Sequence, residues 1–242
     1  DKAAAIVREA YDHGINFFDT GSNYSNFNAE PRLGLAIREI LSSHDRASLV
    51  ISSKAGSLHG SAFPLTPNRF PAQDFSPEAI ENSCRRSIAN LGCDYLNILQ
   101  LHGATKQALT PRLLERLRQM RDQGLYRYLG IKTHDSHVIR HIASTLCLCD
   151  MILIDYNFLR LDREPLIKRL ASANMGVDAG AILAQGHIVN TKIRSVHSGS
   201  FFWYLARTWL KPSARRLASS SAAMRTVLHS ITSMTASQAA FA

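Results

Sequence analysis

Four side chains that can hold or transfer a proton follow three successive apolar segments of the chain. Asp19 and Tyr24 come after the first segment, Lys54 closes the second and His102 closes the third. If these segments are parallel strands, their carboxyl ends lie on one face and the four side chains converge there. Each residue alone has an ordinary structural explanation, but the set predicts a proton-handling site.

These residue types suit the reduction of a carbonyl group. Hydride arriving at a carbonyl carbon leaves negative charge on the oxygen, which then needs a proton donor. A free tyrosine has a pKa of about 10, and a nearby ammonium group lowers this pKa by favouring the phenolate. Lys54 could act on Tyr24 in this way, while Asp19 holds Lys54 charged. His102 could hydrogen-bond the substrate oxygen and orient it.

The elements that position these residues alternate regularly along the chain. Capped helices of about 10–15 residues separate the apolar segments, which predicts repeated βαβ units and a parallel sheet. The predicted strands cover residues 16–18, 48–52, 95–101, 127–131, 151–154 and 175–177, and the predicted helices cover 3–13, 30–41, 77–90, 111–124, 135–143 and 163–173.

Two α/β architectures fit this alternation, a doubly wound open sheet and a (β/α)8 TIM-type barrel. The open sheet normally has a glycine-rich turn after its first strand, but the turn here contains only Gly21. Polar residues at the strand ends favour the barrel. Because only six strands are visible, we expect a barrel that is incomplete in this chain. We expect residues 1–242 to form a single domain.

Composition limits the class of protein. The chain has 242 residues, of which 45% are hydrophobic and 19% are charged, enough for a large α/β core and unlike a disordered protein. No apolar run reaches the length of about 18 residues that spans a bilayer, so no membrane partner is expected. The four cysteines lack zinc-site spacing, and we expect reduced, structural thiols in a cytoplasmic protein.

The net charge of +9 is concentrated near the end of the chain. Residues 179–242 contain no Asp or Glu but seven basic residues, which are Lys192, Arg194, Arg207, Lys211, Arg215, Arg216 and Arg225. Such a segment could bind nucleic acid, an acidic membrane or a phosphate-rich cofactor, or be a solvated stretch. We interpret residues 190–221 as an irregular basic insertion or connector. No recognised motif indicates specific nucleic-acid binding.

Two further segments carry distinct hypotheses. Residues 59–75 contain three prolines and are predicted to form a long loop over the catalytic face. His134, His137 and His141 have a spacing that could bind a metal, with Asp135 adjacent, but histidines on the solvent side of a helix start explain it equally simply. We expect no metal.

At this point the sequence resembles the aldo-keto reductase family. Asn16–Tyr24 is similar to the family's strand motif in which Asp-Thr is followed by Tyr, and Ser53–Lys54 and Tyr95–His102 resemble its lysine and histidine strands. Asp74–Glu78 and Leu91–Tyr95 resemble members that oxidise free aldoses at C1. The resemblance implies a (β/α)8 barrel that lacks its first and last strands in this chain, a nicotinamide cofactor and catalysis by the four residues named above.

The positions expected to hold the nicotinamide depart from the family. Lys132 and Thr133 stand where the family has Ser and Asn, Leu153 where Gln is frequent, and Gly180 near where an aromatic residue is expected. We expect Lys132, Thr133, Asn157 and Gly180 to bind the cofactor, which is NADP with NAD as the alternative. The departures imply weaker or different cofactor binding.

The sequence therefore predicts an NAD(P)(H)-dependent oxidoreductase that interconverts a carbonyl group with an alcohol or lactone, with Tyr24 as proton donor. Its expected partner is a small-molecule carbonyl or sugar substrate. The alternative is a catalytically impaired scaffold of the same family that binds a nucleotide or a partner protein. The sequence leaves the oligomeric state open.

Overall fold

A computed structural model describes residues 2–58, 72–145 and 148–183, together with residues 226 and 230. Strands and helices alternate through the three ranges, as predicted. The strands are β1 Phe17–Asp19, β2 Val50–Ala55, β3 Leu96–His102, β4 Tyr126–Lys132, β5 Met151–Asp155 and β6 Gly176–Gly180. The helices are α1 Lys2–Asp12, α2 Ala29–Leu41, α3 Pro77–Leu91, α4 Pro111–Asp122, α5 Ser136–Ser144 and α6 Glu164–Ser172.

The strands follow one another across the sheet in chain order, from β1 to β6. The pairs β1–β2, β2–β3 and β3–β4 are parallel. In this register Asp19 lies beside Ser52, and His102 lies beside Lys132. The α/β class and the parallel sheet are therefore confirmed, and each strand-to-strand connection contains a helix, as a parallel pairing requires.

The described chain divides into two compact units. The larger holds residues 2–58, 72–145, 148–152 and 173–176, and so contains β1–β4 and α1–α5. Its core combines apolar strand residues such as Ile51 and Leu101 with the buried faces of the helices, including Ile37 and Leu113. The smaller unit holds residues 153–172 and 177–183, with α6 and most of β6.

Local sequence signals set the helix ends. The Ser76 hydroxyl accepts a hydrogen bond from the Ala79 backbone N–H at the start of α3, and the helix ends at Gly92, which has a φ of +66°. Thr110 caps α4 in the same way as Ser76 caps α3. Hydroxyl caps followed by proline, and glycine at the carboxyl end, are the expected signals.

The strands extend further than their apolar residues indicate. Asp19, Lys54, His102 and Lys132 lie within β1–β4, and Gly180 ends β6 instead of following it. The backbone ladder continues past the last apolar residue, because hydrogen bonding between strands does not depend on side-chain polarity. Polar side chains at these positions are consequently held by a strand rather than by a loop.

The described cysteines are buried free thiols. Burial raises the pKa of Cys84 and of Cys149 to about 12 and also raises the pKa of Cys93. These thiols are consequently poor nucleophiles, as expected of structural cysteines. Across the described ranges no helix is both long and apolar enough to cross a membrane. The predicted connector at 190–221 lies outside the described residues.

Candidate active site

Lys54 carries a buried charge beside Asp19. Only 1% of the Lys54 side chain is exposed, compared with 26% of the Asp19 side chain. The Lys54 ammonium donates to Oδ2 of Asp19 and, at 2.6 Å, to the backbone carbonyl of Thr20. A buried ammonium destabilises a protein strongly if it loses its counter-charge. The two acceptors therefore fix both the charge and the direction of Lys54.

The Tyr24 ring lies close to both Lys54 and His102. The Lys54 Nζ atom is 4.9 Å from the ring centroid, and the two ring centroids of Tyr24 and His102 are 6.0 Å apart in an edge-to-face arrangement. The loop that carries Tyr24 stays against β2, because the Ser22 N–H donates to the Lys54 carbonyl at 3.2 Å. Gly21 leaves room for the ring, since a Cβ there would lie 3.2 Å from Tyr24 Cε1.

His102 is held in its neutral form. Burial, followed by the positive charges of Lys54 and Lys132 and by His134, lowers the pKa of His102 to about 4. A neutral imidazole carries one N–H donor and one acceptor nitrogen, so it can hydrogen-bond a carbonyl oxygen without carrying charge. The backbone carbonyl of His102 accepts a hydrogen bond of 2.6 Å from Gln73, near the end of the predicted 59–75 loop. Residues 59–71 of that loop lie outside the described residues.

Asp19 has a second support that sequence reasoning missed. The side-chain amide of Gln100 donates to Asp19 Oδ1 at 2.9 Å and to the Ser52 hydroxyl at 2.8 Å. Gln100 and Ser52 are both fully buried. The only sequence signal is a polar residue two positions before His102, since side chains two apart on a strand point to the same face.

A second buried carboxylate, Glu30, was also missed. It is 2% exposed, and its two oxygens accept hydrogen bonds from Ser53 Oγ at 2.6 Å and from Asn90 Nδ2 at 3.2 Å. These bonds link the first turn of α2 to β2 and α3. Ser53 precedes Lys54, so Glu30 helps to fix the strand segment that presents the Lys54 ammonium. In the sequence, Glu30 reads only as an acidic residue in a helix first turn.

Two of the predicted cofactor residues lie at the end of β4, next to His102. We call the four predicted catalytic residues, Asp19, Tyr24, Lys54 and His102, the tetrad. The backbone carbonyl of Lys132 accepts a hydrogen bond from Gly103 N–H at 2.7 Å, which keeps Lys132 next to the His102 strand end. Thr133 is 1% exposed, and its hydroxyl accepts from the Asp135 N–H at 3.0 Å. The hydroxyl hydrogen of Thr133 is still available to donate, as a ligand carbonyl would require.

The other two predicted cofactor residues belong to the smaller unit. The Asn157 amide donates to the Ala181 carbonyl, and its oxygen accepts from the Leu159 N–H, both at 2.9 Å. A Cβ at Gly180 would lie 2.8 Å from Leu153 Cδ2, so this glycine makes room for Leu153. Both residues have clear local structural roles, and their part in cofactor binding stays a prediction.

The histidine-rich segment is a helix start. Asp135 caps α5 by accepting from the His137 N–H at 2.7 Å, and the His137 ring contacts the Arg140 guanidinium at 3.2 Å. Within the described ranges, no group of three or more His, Cys, Asp or Glu residues is arranged to hold a metal ion.

The chain matches known proteins along most of its length. A sequence model of the Aldo/keto reductase family matches residues 1–220. The chain is 30% identical to the L-galactose dehydrogenase of Arabidopsis thaliana, over 77% of this chain and 56% of that protein. It is 25% identical to the D-threo-aldose 1-dehydrogenase of a Pseudomonas species, over 79% of this chain and 63% of that protein.

A solved structure shares the fold. The holo form of the aldo-keto reductase AKR11C1 from Bacillus halodurans superposes with a TM-score of 0.64 at 23% identity, over 78% of this chain and 60% of that chain. The chain covers 50%, 56% and 65% of the length of three of the curated relatives it matches. These relatives do not favour the non-enzymatic alternative. The family match, the shared fold and the converged strand ends together establish that the chain belongs to the aldo/keto reductase family, whose members are NAD(P)-dependent oxidoreductases.

Proposed function

We propose that the protein is an NAD(P)(H)-dependent oxidoreductase that interconverts an aldehyde, ketone or aldose with an alcohol or lactone. The observation that carries this proposal is the position of the Tyr24 ring, close to both the buried ammonium of Lys54 and the neutral imidazole of His102. A phenol next to a fixed positive charge is a proton donor for an oxygen that gains negative charge.

The site requires a hydride carrier, because its four side chains exchange protons but not electrons. The family's nicotinamide coenzyme supplies the hydride when it is bound. We propose that Lys132 and Thr133 hold its nicotinamide end, since both lie at the end of β4 beside the His102 strand end. Asn157 and Gly180 remain proposed contacts. The net charge of +9 supports NADP, which carries an additional phosphate, over NAD.

Each member of the tetrad then has one task. Tyr24 gives its phenolic proton to the carbonyl oxygen during reduction and takes a proton from the hydroxyl during oxidation. Lys54 compensates the charge of the phenolate, and Asp19 keeps Lys54 charged and directed by accepting its hydrogen bond. The uncharged His102 donates an N–H to the substrate oxygen and orients the carbonyl for attack.

The proposed substrates are small carbonyl compounds, with aldoses as the first candidates. The names of the relatives in Arabidopsis and Pseudomonas specify sugar dehydrogenases. Oxidation of a free aldose at C1 yields a lactone, and the required base, Tyr24 as phenolate, is provided by the same tetrad. We also propose a cytoplasmic location, because the three described cysteines are free thiols.

Replacing Tyr24 with Phe tests the proposal. In the full-length protein we expect Tyr24→Phe to lower kcat by roughly 100- to 10,000-fold, because the general acid is lost while the ring is kept. The absorbance of NADPH is followed with a panel of aldehydes and ketones, and reduction of NADP is followed with L-galactose and other aldoses.

A matched control is available in the first half of β4, away from the Lys132 end. Tyr128 on β4 is 55% exposed, so Tyr128→Phe should keep wild-type turnover. Circular dichroism of both variants establishes that each is folded. Unchanged turnover in Tyr24→Phe would exclude Tyr24 as the proton donor and with it the proposed mechanism.

A further inference from the structure

Gln100 is a fully buried polar residue in the middle of the catalytic sheet. It lies on β3, in register with Lys54 on β2 and with Gly130 on β4. Its side chain has no exposure to solvent. A buried amide destabilises a fold unless its hydrogen bonds are replaced, so an apolar residue would be the simpler choice at a central strand position.

The amide of Gln100 holds Asp19 at the oxygen that Lys54 does not use. Its Nε2 atom donates to Asp19 Oδ1 at 2.9 Å and to Ser52 Oγ at 2.8 Å, while Asp19 Oδ2 accepts from Lys54. The carboxylate is an acceptor only, so it selects the NH2 end of the amide. Asp19 is consequently fixed by one donor at each oxygen, and Oδ2 can point only at the ammonium.

Gly130 provides the space that Gln100 occupies. A Cβ at Gly130 would lie 2.8 Å from Gln100 Cγ, closer than real side-chain atoms approach. Because Cγ is near the backbone of Gln100, that clash could not be relieved by rotating the end of the side chain. Among the described residues, the Gln100 Oε1 atom is buried without a hydrogen-bond partner. The burial of this amide therefore has a cost in stability, which its hydrogen bonds to Asp19 and Ser52 offset.

We propose that Gln100 is a positioning residue for the reaction, acting on Tyr24 through Asp19 and Lys54. The inference rests on the proposed function of Tyr24 as proton donor. By fixing Oδ1 of Asp19, Gln100 keeps the Lys54 ammonium in the direction that places it 4.9 Å from the Tyr24 ring. A neutral amide does this equally well at every pH, because it does not titrate near neutrality.

Gln100→Leu removes the donor and keeps a similar volume. We expect kcat for reduction to fall about 10- to 100-fold, corresponding to the loss of one hydrogen bond to a charged group, with KM nearly unchanged. We also expect the alkaline limb of the kcat profile to move to higher pH. The reason is that a less well-directed ammonium stabilises the Tyr24 phenolate less, so Tyr24 keeps its proton to higher pH.

Gln100→Glu gives a signature that a purely structural role does not produce. When protonated, the new carboxyl group can donate to Asp19 as the amide does; when ionised, it repels Asp19. We therefore expect partial recovery of kcat, relative to Gln100→Leu, at acidic pH, and loss of this recovery as the pH rises. This variant also keeps the proposal testable if Gln100→Leu folds poorly.

Asn97 supplies the matched control on the same strand. Its side-chain oxygen accepts from the Ile51 N–H at 2.9 Å and from Arg46 at 2.8 Å, at the opposite end of β3 from His102. Asn97→Leu therefore removes a buried polar contact of the sheet without touching Asp19. We expect it to lower the free energy of unfolding and to leave the pH profile of kcat in place.

Two outcomes separate this proposal from the proposed function. If Tyr24→Phe is inactive while the Gln100 variants keep the wild-type pH profile, the positioning role is wrong and the proton-donor role stands. If Tyr24→Phe keeps full turnover, the proposed function itself fails. A pH profile shifted in Gln100→Leu but not in Asn97→Leu supports the positioning role.

Discussion

At the scale of single residues, the site is built around one buried positive charge. Lys54 is paired with Asp19, and the positive charge of Lys54 disfavours a second positive charge nearby. Burial and the charges of Lys54 and Lys132 consequently lower the pKa of His102 to about 4. His102 is therefore uncharged at neutral pH, which supports the proposed roles of Tyr24 as the acid and of His102 as a neutral hydrogen-bond donor.

This assignment predicts how stability depends on pH. The folded-state pKa of His102, about 4, lies below the usual value of about 6.5, so between these values the unfolded state binds more protons. The stability contributed by neutral His102 is complete above pH of about 6.5 and is lost as the pH falls towards 4. We expect His102→Gln to abolish this decrease in the free energy of unfolding at acidic pH, which is on the order of 3 kcal/mol.

Urea unfolding of wild type and His102→Gln at a series of pH values measures the difference. Other groups titrate in both proteins, so the relevant quantity is the gap between the two stability curves. The control is His13→Gln, since 72% of the His13 side chain is exposed. If the curves of wild type and His102→Gln stay parallel between pH of about 4 and 6.5, the lowered pKa is wrong.

The sequence predicts the ionisable residues of the site but not the residues that hold them. Asp19, Lys54 and His102 interrupt apolar strands with charged or titratable groups, and parallel strands bring their carboxyl ends to one face. Gln100, Ser52 and other uncharged polar residues have no such signal. Their role depends on which atoms of neighbouring strands they meet, and this is fixed by strand register rather than by composition.

At the scale of elements, α2 and α3 make a close backbone contact at Gly34. A Cβ at Gly34 would lie 2.1 Å from the carbonyl oxygen of Asn90 and 3.0 Å from the Cα atom of Leu91. Both are backbone atoms of α3 or its end, and neither can rotate away. This contact brings together the helix that carries Glu30 and the helix that carries its partner Asn90.

Gly34→Ala tests this contact, because helix propensity favours the alanine whereas a close backbone contact disfavours it. Alanine favours a helix over glycine by about 1 kcal/mol. Overpacking a close contact costs about 1–3 kcal/mol, and here the clash is with rigid backbone, so we expect it to dominate. The free energy of unfolding should fall, as measured by urea denaturation.

Leu35 provides the neighbouring control. It is 49% exposed on the same helix, so Leu35→Ala should change the free energy of unfolding by only about 0.5 kcal/mol. A Gly34→Ala variant as stable as wild type, or more stable, would show that helix propensity dominates and that the two helices are not in tight backbone contact.

The backbone conformation of the loop that carries Tyr24 has no clear signal in the sequence. Ser25, Asn26 and Phe27 have successive positive φ values of 51°, 53° and 64°. A left-handed backbone usually favours glycine, and non-glycine residues there are destabilised. No glycine marks this turn in the sequence, so the path from Tyr24 to α2 could not be predicted, although the helix and the strand on either side were.

At the scale of the whole molecule, the regular alternation of strands and helices was enough to predict the fold class. Such alternation is typical of parallel strands joined by helices. The converging polar strand ends favour a barrel over an open sheet. The shared fold with a solved aldo-keto reductase agrees with this prediction. The departures at Lys132, Thr133, Leu153 and Gly180 concern the cofactor, which must therefore be tested directly.

A nucleotide that binds only the folded protein raises its thermal midpoint by mass action. At a concentration of about 100 times Kd the stabilisation is about 2.7 kcal/mol, which for a chain of this size corresponds to a shift of roughly 5–10 °C. We expect NADPH to give the larger shift and NADH a smaller one, measured by thermal unfolding of the full-length protein. Tyr24→Phe should keep the shift, because the phenol acts on substrate.

The basic character of the chain requires a polyanion control. With a net charge of +9, the protein could attract any phosphate-rich molecule, so ATP is titrated alongside the two nicotinamide nucleotides. A shift with NADPH that exceeds the shift with ATP supports a specific nicotinamide site. Equal shifts, or none with NADPH, would contradict the proposed oxidoreductase. A specific NADPH shift without turnover on any carbonyl or aldose would instead support the scaffold alternative, in which the fold binds a nucleotide but Tyr24 has no substrate to protonate.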